Sequence, residues 1–158
     1  MIREALENDV EEMLAIQKKV YPRILWNTNN EYSSIVRYGN AWVKTSENGQ
    51  IIGFIMTHPY YGYLPDLHTV FREDVEEETN DCFIFDLIVL PEYQRCHIGT
   101  QLVETLFEYV QEKNIKRLYL VSLQDSQKFW MTKGFLRENP VHIPKCYHNG
   151  IFMTKNIY

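Results

Sequence analysis

The sequence is poor in the features that mark most specialised chains. Cysteine occurs three times in 158 residues, at Cys82, Cys96 and Cys146. An odd, scattered set gives no disulfide framework, so a reducing compartment is expected. No apolar stretch approaches the ~20 residues a membrane span needs. The opening segment, MIREALENDVEEM, is charged and lacks the apolar run of a secretory signal. A cytoplasmic protein with no membrane partner is expected. Positive charge is also short, with 16 Lys and Arg against 21 Asp and Glu, for a net charge of −5. Binding a phosphate backbone needs clustered Lys and Arg, so no nucleic-acid partner is expected. A mildly acidic surface suits a basic or neutral amine better. There is no repeat, no low-complexity segment and no linker, so residues 1–158 read as one domain.

What is present is an ordinary folded composition, 45% hydrophobic and 23% charged. IREA (2–5) is a strand candidate. ENDVEEMLAIQKKVYP (7–22) reads as a helix with Val10, Met13, Leu14, Gln17, Val20 and Tyr21 on one stripe. Asn8 or Asp9 is placed to cap it and Pro22 to end it. A weaker helix follows over 29–39, stopped by Gly39. Residues 40–59 read as a hairpin around Asn48-Gly49. The long connection 60–81 is aromatic first and acidic later. The aromatic half fits a functional loop and a solvated excursion equally, and the acidic half a solvated excursion. CFIFDLIVL (82–90) is nearly all apolar, as in a strand buried on both faces. Residues 99–113 form a helix with Leu102, Val103, Leu106, Phe107 and Val110 inward. A strand (116–123), a short helix (125–133) closed by Gly134, and strands at 135–138 and 150–157 follow. The order β-α-α-β-β-β-α-β-α-β-β is a mixed α/β domain of the α+β kind.

The turn LPEYQRCHIGT (90–100) joins the apolar strand to a helix N-terminus. The first N–H groups of a helix have no internal partner, and the dipole is positive there. The amides of residues 95–100 can therefore converge on a phosphate, helped by Arg95 and the Thr100 hydroxyl. No Gly-Lys-Ser/Thr follows, and no second glycine completes a dinucleotide fingerprint. On spacing alone, an anion cradle and a tight connection that binds nothing both fit.

LIVLPEYQRCHIGTQLV resembles the cofactor-binding segment of the GNAT superfamily of N-acyltransferases. Gln94, Ile98 and Gly99 match its pattern, and His97 stands where its first glycine is usual. FWMTKGF (129–135) resembles the aromatic pair before that superfamily's Gly-Phe. HP (58–59), FDLIVLP (85–91) and VSLQDSQKFWMTKGF (121–135) together resemble a bacterial subgroup. The resemblance implies a central, mostly antiparallel sheet of about six to seven strands flanked by about four helices. It implies transfer of an acetyl group from acetyl-CoA to a primary amine by direct attack. It also implies that the amides of Arg95, Cys96, His97, Ile98, Gly99 and Thr100 hold the pyrophosphate. The main chain of Leu87, Ile88 and Val89 would pair with the pantetheine arm. Ser126 stands where a small residue is usual, and a homodimer is a common state. At position 97, a positive φ would cost a histidine about 1 kcal/mol.

Acyl transfer needs a neutral amine, a donor to the developing oxyanion and a stabilised leaving thiolate. The resemblance offers a main-chain N–H near Val89 or Leu90 as the oxyanion donor. Asp86 is the sharpest base candidate, being the only charge in its strand, on one face with Ile88 and Leu90. It also suits anchoring of the substrate ammonium or a purely structural role. His58, a near-neutral titrating group at a strand end, is the second candidate, although a lone histidine there is more often structural. Glu92 reads as solvated. Trp130 stands where many relatives carry a tyrosine acid, and an indole N–H gives up no proton near neutral pH. It reads as packing against the cofactor arm, so the thiolate leaves unaided, or water or Ser126 helps it, or activity is low.

Other signals are thinner. His142, Cys146 and His148 are too few for zinc, so no metal is expected. Cys96 at a helix start could be nucleophilic. Tyr60, Tyr61, Tyr63 and Trp26 could line an acceptor site or simply pack. The acceptor is read as a small-molecule or peptide amine. The alternatives are an acyl-CoA-binding module with little turnover and a protein-interaction domain on the same fold.

Overall fold

Helical and alternating periodicities fall where the elements form. The computed structural model describes residues 1–72, 78–123, 125–139 and 142–157. The elements are β1 (Ile2–Glu4), α1 (Val10–Val20), α2 (Asn29–Tyr38), β2 (Asn40–Thr45), β3 (Ile51–Pro59) and β4 (Asp81–Val89). Then come α3 (Ile98–Glu112), β5 (Arg117–Ser122), α4 (Gln127–Thr132), β6 (Leu136–Arg137) and β7 (Ile151–Asn156). The order is the one expected. Residues 73–77, within the segment read as a solvated acidic excursion, lie outside the described residues.

Seven strands form one sheet in the order β1-β2-β3-β4-β5-β7-β6. Every neighbouring pair is antiparallel except β4–β5, which is parallel. A parallel pair needs a crossover, and α3 supplies it. Helices α2 and α3 cover opposite faces, as two adjacent residues of β3 show. Phe54 meets the ring of Tyr32 on α2 at 5.9 Å, while a Cβ on Gly53 would lie 3.2 Å from Ile98 on α3. Ile98, Leu102, Val103, Leu106 and Val110 are the buried stripe of α3, and Phe107 is only half-buried. A second apolar cluster joins Leu25, Tyr60, Leu64, Leu67, Phe83, Tyr119, Tyr147 and Phe152. The aromatic half of the 60–81 connection is therefore packed. No helix among the described residues is long and apolar enough to cross a membrane.

The start of α1 differs from expectation. A short 3-10 turn, Glu7–Asp9, precedes it, and Asp9 makes no side-chain cap. Its carboxylate turns back instead, accepting from the Leu6 N–H at 2.7 Å and pairing with Arg3 at 2.8 Å. The Arg3 bond holds the Asp9 carboxyl below its usual range. Helix α2 has a true cap, with the Thr28 hydroxyl accepting from the Glu31 N–H at 3.3 Å.

Gly39 ends α2 where the chain crosses β3. A Cβ there would lie 2.2 Å from the Thr57 carbonyl oxygen and 2.9 Å from that of Ile35. Both are backbone atoms and cannot swing away. Gly39→Ala is therefore expected to destabilise the fold by about 2–3 kcal/mol, read as a lower urea midpoint at unchanged slope.

Candidate active site

The sheet opens midway along β4. Asp86 on β4 faces Met56 on β3, yet Thr57 faces Ile84, so Phe85 is an extra residue in β4. This is a β-bulge. Pairing between β4 and β5 covers only Asp81–Ile84 against Arg117–Leu120. Beyond that the strands diverge, and a cleft of about 520 Å³ opens between them. It runs from Tyr21 at the end of α1, past Phe85–Val89, to the start of α3 and the Phe129–Trp130 pair. Burial of β4 on both faces holds only up to Ile84. Phe85, Leu87 and Val89 are half-exposed because the neighbouring strand has moved away.

The free edge of β4 has a definite register. The Leu90 N–H bonds to the Ile52 carbonyl at 2.9 Å. Bonding alternates along an antiparallel pair, so Ile88 also bonds across to its β3 partner, Phe54. Leu87 and Val89 then turn their N–H and C=O groups to the cleft, where Gln94 Nε2 reaches the Val89 oxygen at 3.2 Å. Two expectations are corrected. The main chain of Ile88 belongs to the sheet, and the Leu90 N–H is already used, which leaves the Val89 N–H as the outward donor.

The turn into α3 is built from left-handed residues. Arg95 has φ 67°, and His97 has φ 62° and ψ 15°. The positive φ at position 97 is therefore real, and histidine carries it. The first intrahelical bond runs from the Gln101 N–H to the His97 carbonyl at 3.0 Å. The N–H groups of Ile98, Gly99 and Thr100 precede it and have no partner within the helix. A Cβ on Gly99 would meet Phe129 at 3.6 Å and Leu87 at 3.9 Å, which is ordinary contact. The fold thus tolerates a side chain at 99, and its absence keeps that part of the cleft clear. Lys133, which the sequence reading missed, donates to the Thr100 hydroxyl at 2.8 Å and lies 5.3 Å from the Phe129 ring centre. Only the basic residue before Gly134 hinted at it. Arg95 and Cys96 are exposed at the rim.

Asp86 lines the cleft and is 8% exposed. The Tyr32 hydroxyl donates to its Oδ2 at 2.5 Å, and Gln17 Nε2 reaches the same oxygen at 3.4 Å. Burial pushes its carboxyl up to about 7, against the opposing pull of the Tyr32 bond. A carboxyl near 7 can both take and release a proton at neutral pH. His58 is placed differently. It is 2% exposed, stacks between Phe71 and Phe83, and does not line the cleft. Burial pushes its imidazole down to about 4, so it does not titrate near neutrality as expected. Its Nδ1 lies 2.9 Å from the Pro59 carbonyl, which only accepts, so Nδ1 carries the proton. Its Nε2 is buried without a partner.

Ser126 and Trp130 both line the cleft. Ser126 Oγ donates to the Leu123 carbonyl at 2.8 Å and shares a further bond with Ser122 Oγ at 2.8 Å. Its one proton is already engaged. Trp130 is buried between the rings of Phe129 and Phe135, a packing position. Of the aromatic residues read either as an acceptor lining or as packing, Trp26, Tyr60 and Tyr63 do not line the cleft. Tyr60 stacks on Tyr119 in the second cluster, Tyr63 is exposed, and the Trp26 indole donates to the Tyr21 carbonyl at 2.8 Å. Glu92 is exposed. Among the described residues, no three His, Cys, Asp or Glu side chains are grouped to hold a metal.

A divergent strand pair beside a helix start, on this sheet, defines a class. The chain belongs to the acetyltransferase (GNAT) family, whose profile matches residues 5–135. It is similar to the uncharacterized N-acetyltransferase YkwB of Bacillus subtilis (strain 168), with 28% identity over 131 residues. That match covers 74% of this chain and 58% of the relative, so this chain spans under two thirds of its relative's length. The fold is similar to that of PaiA N-acetyltransferase from Thermoplasma acidophilum in complex with coenzyme A. There the TM-score is 0.73 at 15% identity, over 99% of this chain and 98% of that one. It is also similar to the GphF GNAT-like decarboxylase in complex with isobutyryl-CoA. The TM-score is 0.80 at 15% identity, over all of both chains.

The raised carboxyl carries a stability signature. An unfolded Asp86 loses its proton near pH 4, but the folded one holds it to about 7. The folded state therefore binds the extra proton between those values, and stability from this group falls as pH rises through that window. Asp86→Asn removes the term. Its stability advantage over the parent is expected to be largest above pH 7 and to shrink toward pH 4, followed by urea unfolding across pH.

Proposed function

We propose that the protein is an acetyl-CoA-dependent N-acetyltransferase acting on a primary amine. The observation that carries this reading is Asp86, a buried carboxyl near neutrality at the point where β4 and β5 part, in a GNAT-family chain. The cleft suits coenzyme A on its own features. The amides of Ile98, Gly99 and Thr100, with Arg95 and Lys133, offer a positive end for the phosphates. The outward N–H and C=O groups of Leu87 and the N–H of Val89 match an amide-bearing arm. The missing side chain at Gly99 leaves the room such an arm needs. The cofactor would supply an acyl group activated as a thioester.

The protein's own residues then have distinct tasks. Asp86 takes the proton that an incoming ammonium must lose. The neutral amine nitrogen forms its bond to the acyl carbon as the carbon–sulfur bond breaks. The Val89 N–H donates to the acyl oxygen as charge develops there. Neither Ser126, whose proton is engaged, nor Trp130, which holds its own, offers a proton to the leaving sulfur. A thiolate with a pKa of about 8.5 leaves without one. Trp130 is also the feature that favours a second reading, an acyl-CoA-binding module with little turnover. The Phe129–Trp130 pair agrees with a bacterial branch of the family, and the acceptor is a small-molecule or peptide amine.

Two variants test this. Gly99→Ala keeps an ordinary fold contact, so its melting temperature should hold while coenzyme A affinity falls at least about tenfold by calorimetry. Unchanged affinity would remove the cradle. Asp86→Asn should bind coenzyme A normally and lose about 10²–10⁴-fold in kcat, along with the rise in rate as pH passes about 7. Thiol release from acetyl-CoA across an amine panel is the readout. Coenzyme A binding with no release from any amine would favour the binding module.

A further inference from the structure

A chain of buried side-chain amides leads away from Asp86, and its polarity is determined. The Asn27 backbone N–H donates to Gln17 Oε1 at 2.8 Å. That fixes the Gln17 amide, so its NH₂ group is the one facing Asn27 Oδ1, at 2.8 Å, and Asp86 Oδ2, at 3.4 Å. Asn27 Oδ1 is thereby an acceptor, which turns its own NH₂ outward. That group donates to Glu31 Oε2 at 2.6 Å and to the Leu67 carbonyl at 2.8 Å. Glu31 in turn holds His68 Nδ1 at 3.1 Å. Both amides use both of their N–H bonds and their oxygen. Gln17 is 1%, Asn27 7% and Glu31 5% exposed.

The far end of this chain is the 60–72 segment. It has no helix or strand of its own, and it is held by side chains from elsewhere. Besides Asn27, the Tyr147 hydroxyl donates to the Pro65 carbonyl at 2.6 Å. The Phe71 N–H donates to Ser34 Oγ at 2.9 Å. Leu67 also buries its side chain in the second cluster. The segment covers the side of the sheet that carries His58 and Phe83, since Phe71 stacks on His58.

We propose that Gln17 and Asn27 are positioning residues that make the setting of Asp86 depend on the docking of residues 60–72. The proposal rests on the reading of Asp86 as the base. Tyr32 and Gln17 both engage Oδ2, which leaves Oδ1 as the oxygen to take a proton from the cleft. Gln17 keeps its place only while Asn27 holds both its oxygen and its NH₂ group. Asn27 keeps its place only while Glu31 and the Leu67 carbonyl accept from it. None of residues 60–72 lines the cleft, so undocking of the segment would reach Asp86 through these bonds. Apolar residues could fill this layer without the desolvation cost of three buried polar groups.

Asn27→Ser shortens the link and Asn27→Asp removes its donors. Three measurements follow each variant. Hydrogen–deuterium exchange of residues 60–72 should quicken. The Asp86 titration, followed by carboxyl ¹³C NMR, should move up by about half a pH unit as Gln17 loses its hold. With an amine that is turned over, kcat should fall about tenfold while the KM for acetyl-CoA stays within about twofold. In Asn27→Asp, adding Glu31→Gln restores a donor–acceptor pair and should recover part of the loss. If Asn27 variants do not fold, His68→Ala at the half-exposed end decides, with faster exchange and an Asp86 shift of the same direction expected. Unmoved exchange and an unmoved Asp86 midpoint overturn the proposal. If the midpoint and exchange move but no amine is ever acetylated, the coupling stands and the enzymatic reading fails.

Discussion

One inserted residue in a central strand governs the site. Were β4 to run past Phe85 without a bulge, Phe85 would face Met56 and Asp86 would face Ile55. A one-residue slip exchanges the two faces of a strand. Asp86 would then lie on the α3 side of the sheet, away from Tyr32 and Gln17. The bulge returns it to the face of Phe54 and Met56, under α1 and α2. It also bends and twists the strand, and from that point β5 no longer follows. The outward amides of Leu87 and Val89 and the inward carboxylate of Asp86 are therefore two results of one irregularity. A free peptide edge and a buried carboxylate come to lie within residues 86–89 of one strand.

Placing a carboxyl in that layer is costly, and the neighbourhood lowers the cost without removing it. A phenol at 2.5 Å and an amide at 3.4 Å stabilise the charged form, yet burial still prevails and holds the group near 7. A full salt bridge would have fixed it as an inert anion, as Arg3 does for Asp9. A wholly apolar setting would have kept it protonated. The intermediate balance is what proton exchange at neutral pH requires. It also explains why the supporting groups are amides and a phenol. They donate hydrogen bonds but bring no charge that would drag the carboxyl far from neutrality.

The fold was readable because its signals are local. Helical stripes, the Asn48-Gly49 turn and the Gly134 stop are each set within a few residues. Gly49 and Gly134 do adopt φ of 86° and 92°. Phe135 and Gly134 bond back to Trp130 and Met131, as a helix stop of this kind demands. The site was readable only where one residue stood out against its surroundings, as Asp86 does among CFIFDLIVL. The bulge was not, because Phe85 is as apolar as its neighbours and nothing in one strand reveals its pairing. For His58 only the expectation of a near-neutral group fails, because a ring that buries it, Phe71, comes from the connection after its strand. Gln17 did leave a trace, a glutamine on the apolar stripe of α1, but its partners Asn27 and Asp86 lie 10 and 69 residues away. Polar residues at core positions name a network without naming its members.

His97 looked like the residue that broke the phosphate pattern, and its backbone shows otherwise. The turn needs a left-handed residue there, and φ of 62° with ψ of 15° supplies one. Glycine would adopt it at no steric cost, whereas an L residue loses about 1 kcal/mol. Histidine is among the residues enriched in that region, and a side chain also narrows the unfolded ensemble, which offsets part of the penalty. Arg95, at φ 67°, makes the same compromise two residues earlier. What the turn must deliver is the direction of its N–H groups, a backbone property that a side chain at 97 leaves intact. Gly99 differs, since its ordinary backbone needs no glycine and its missing Cβ faces Leu87 and Phe129 across the cleft. In this chain the two positions thus differ in kind, a left-handed conformation that histidine meets at 97 and an open space beside the cleft at 99.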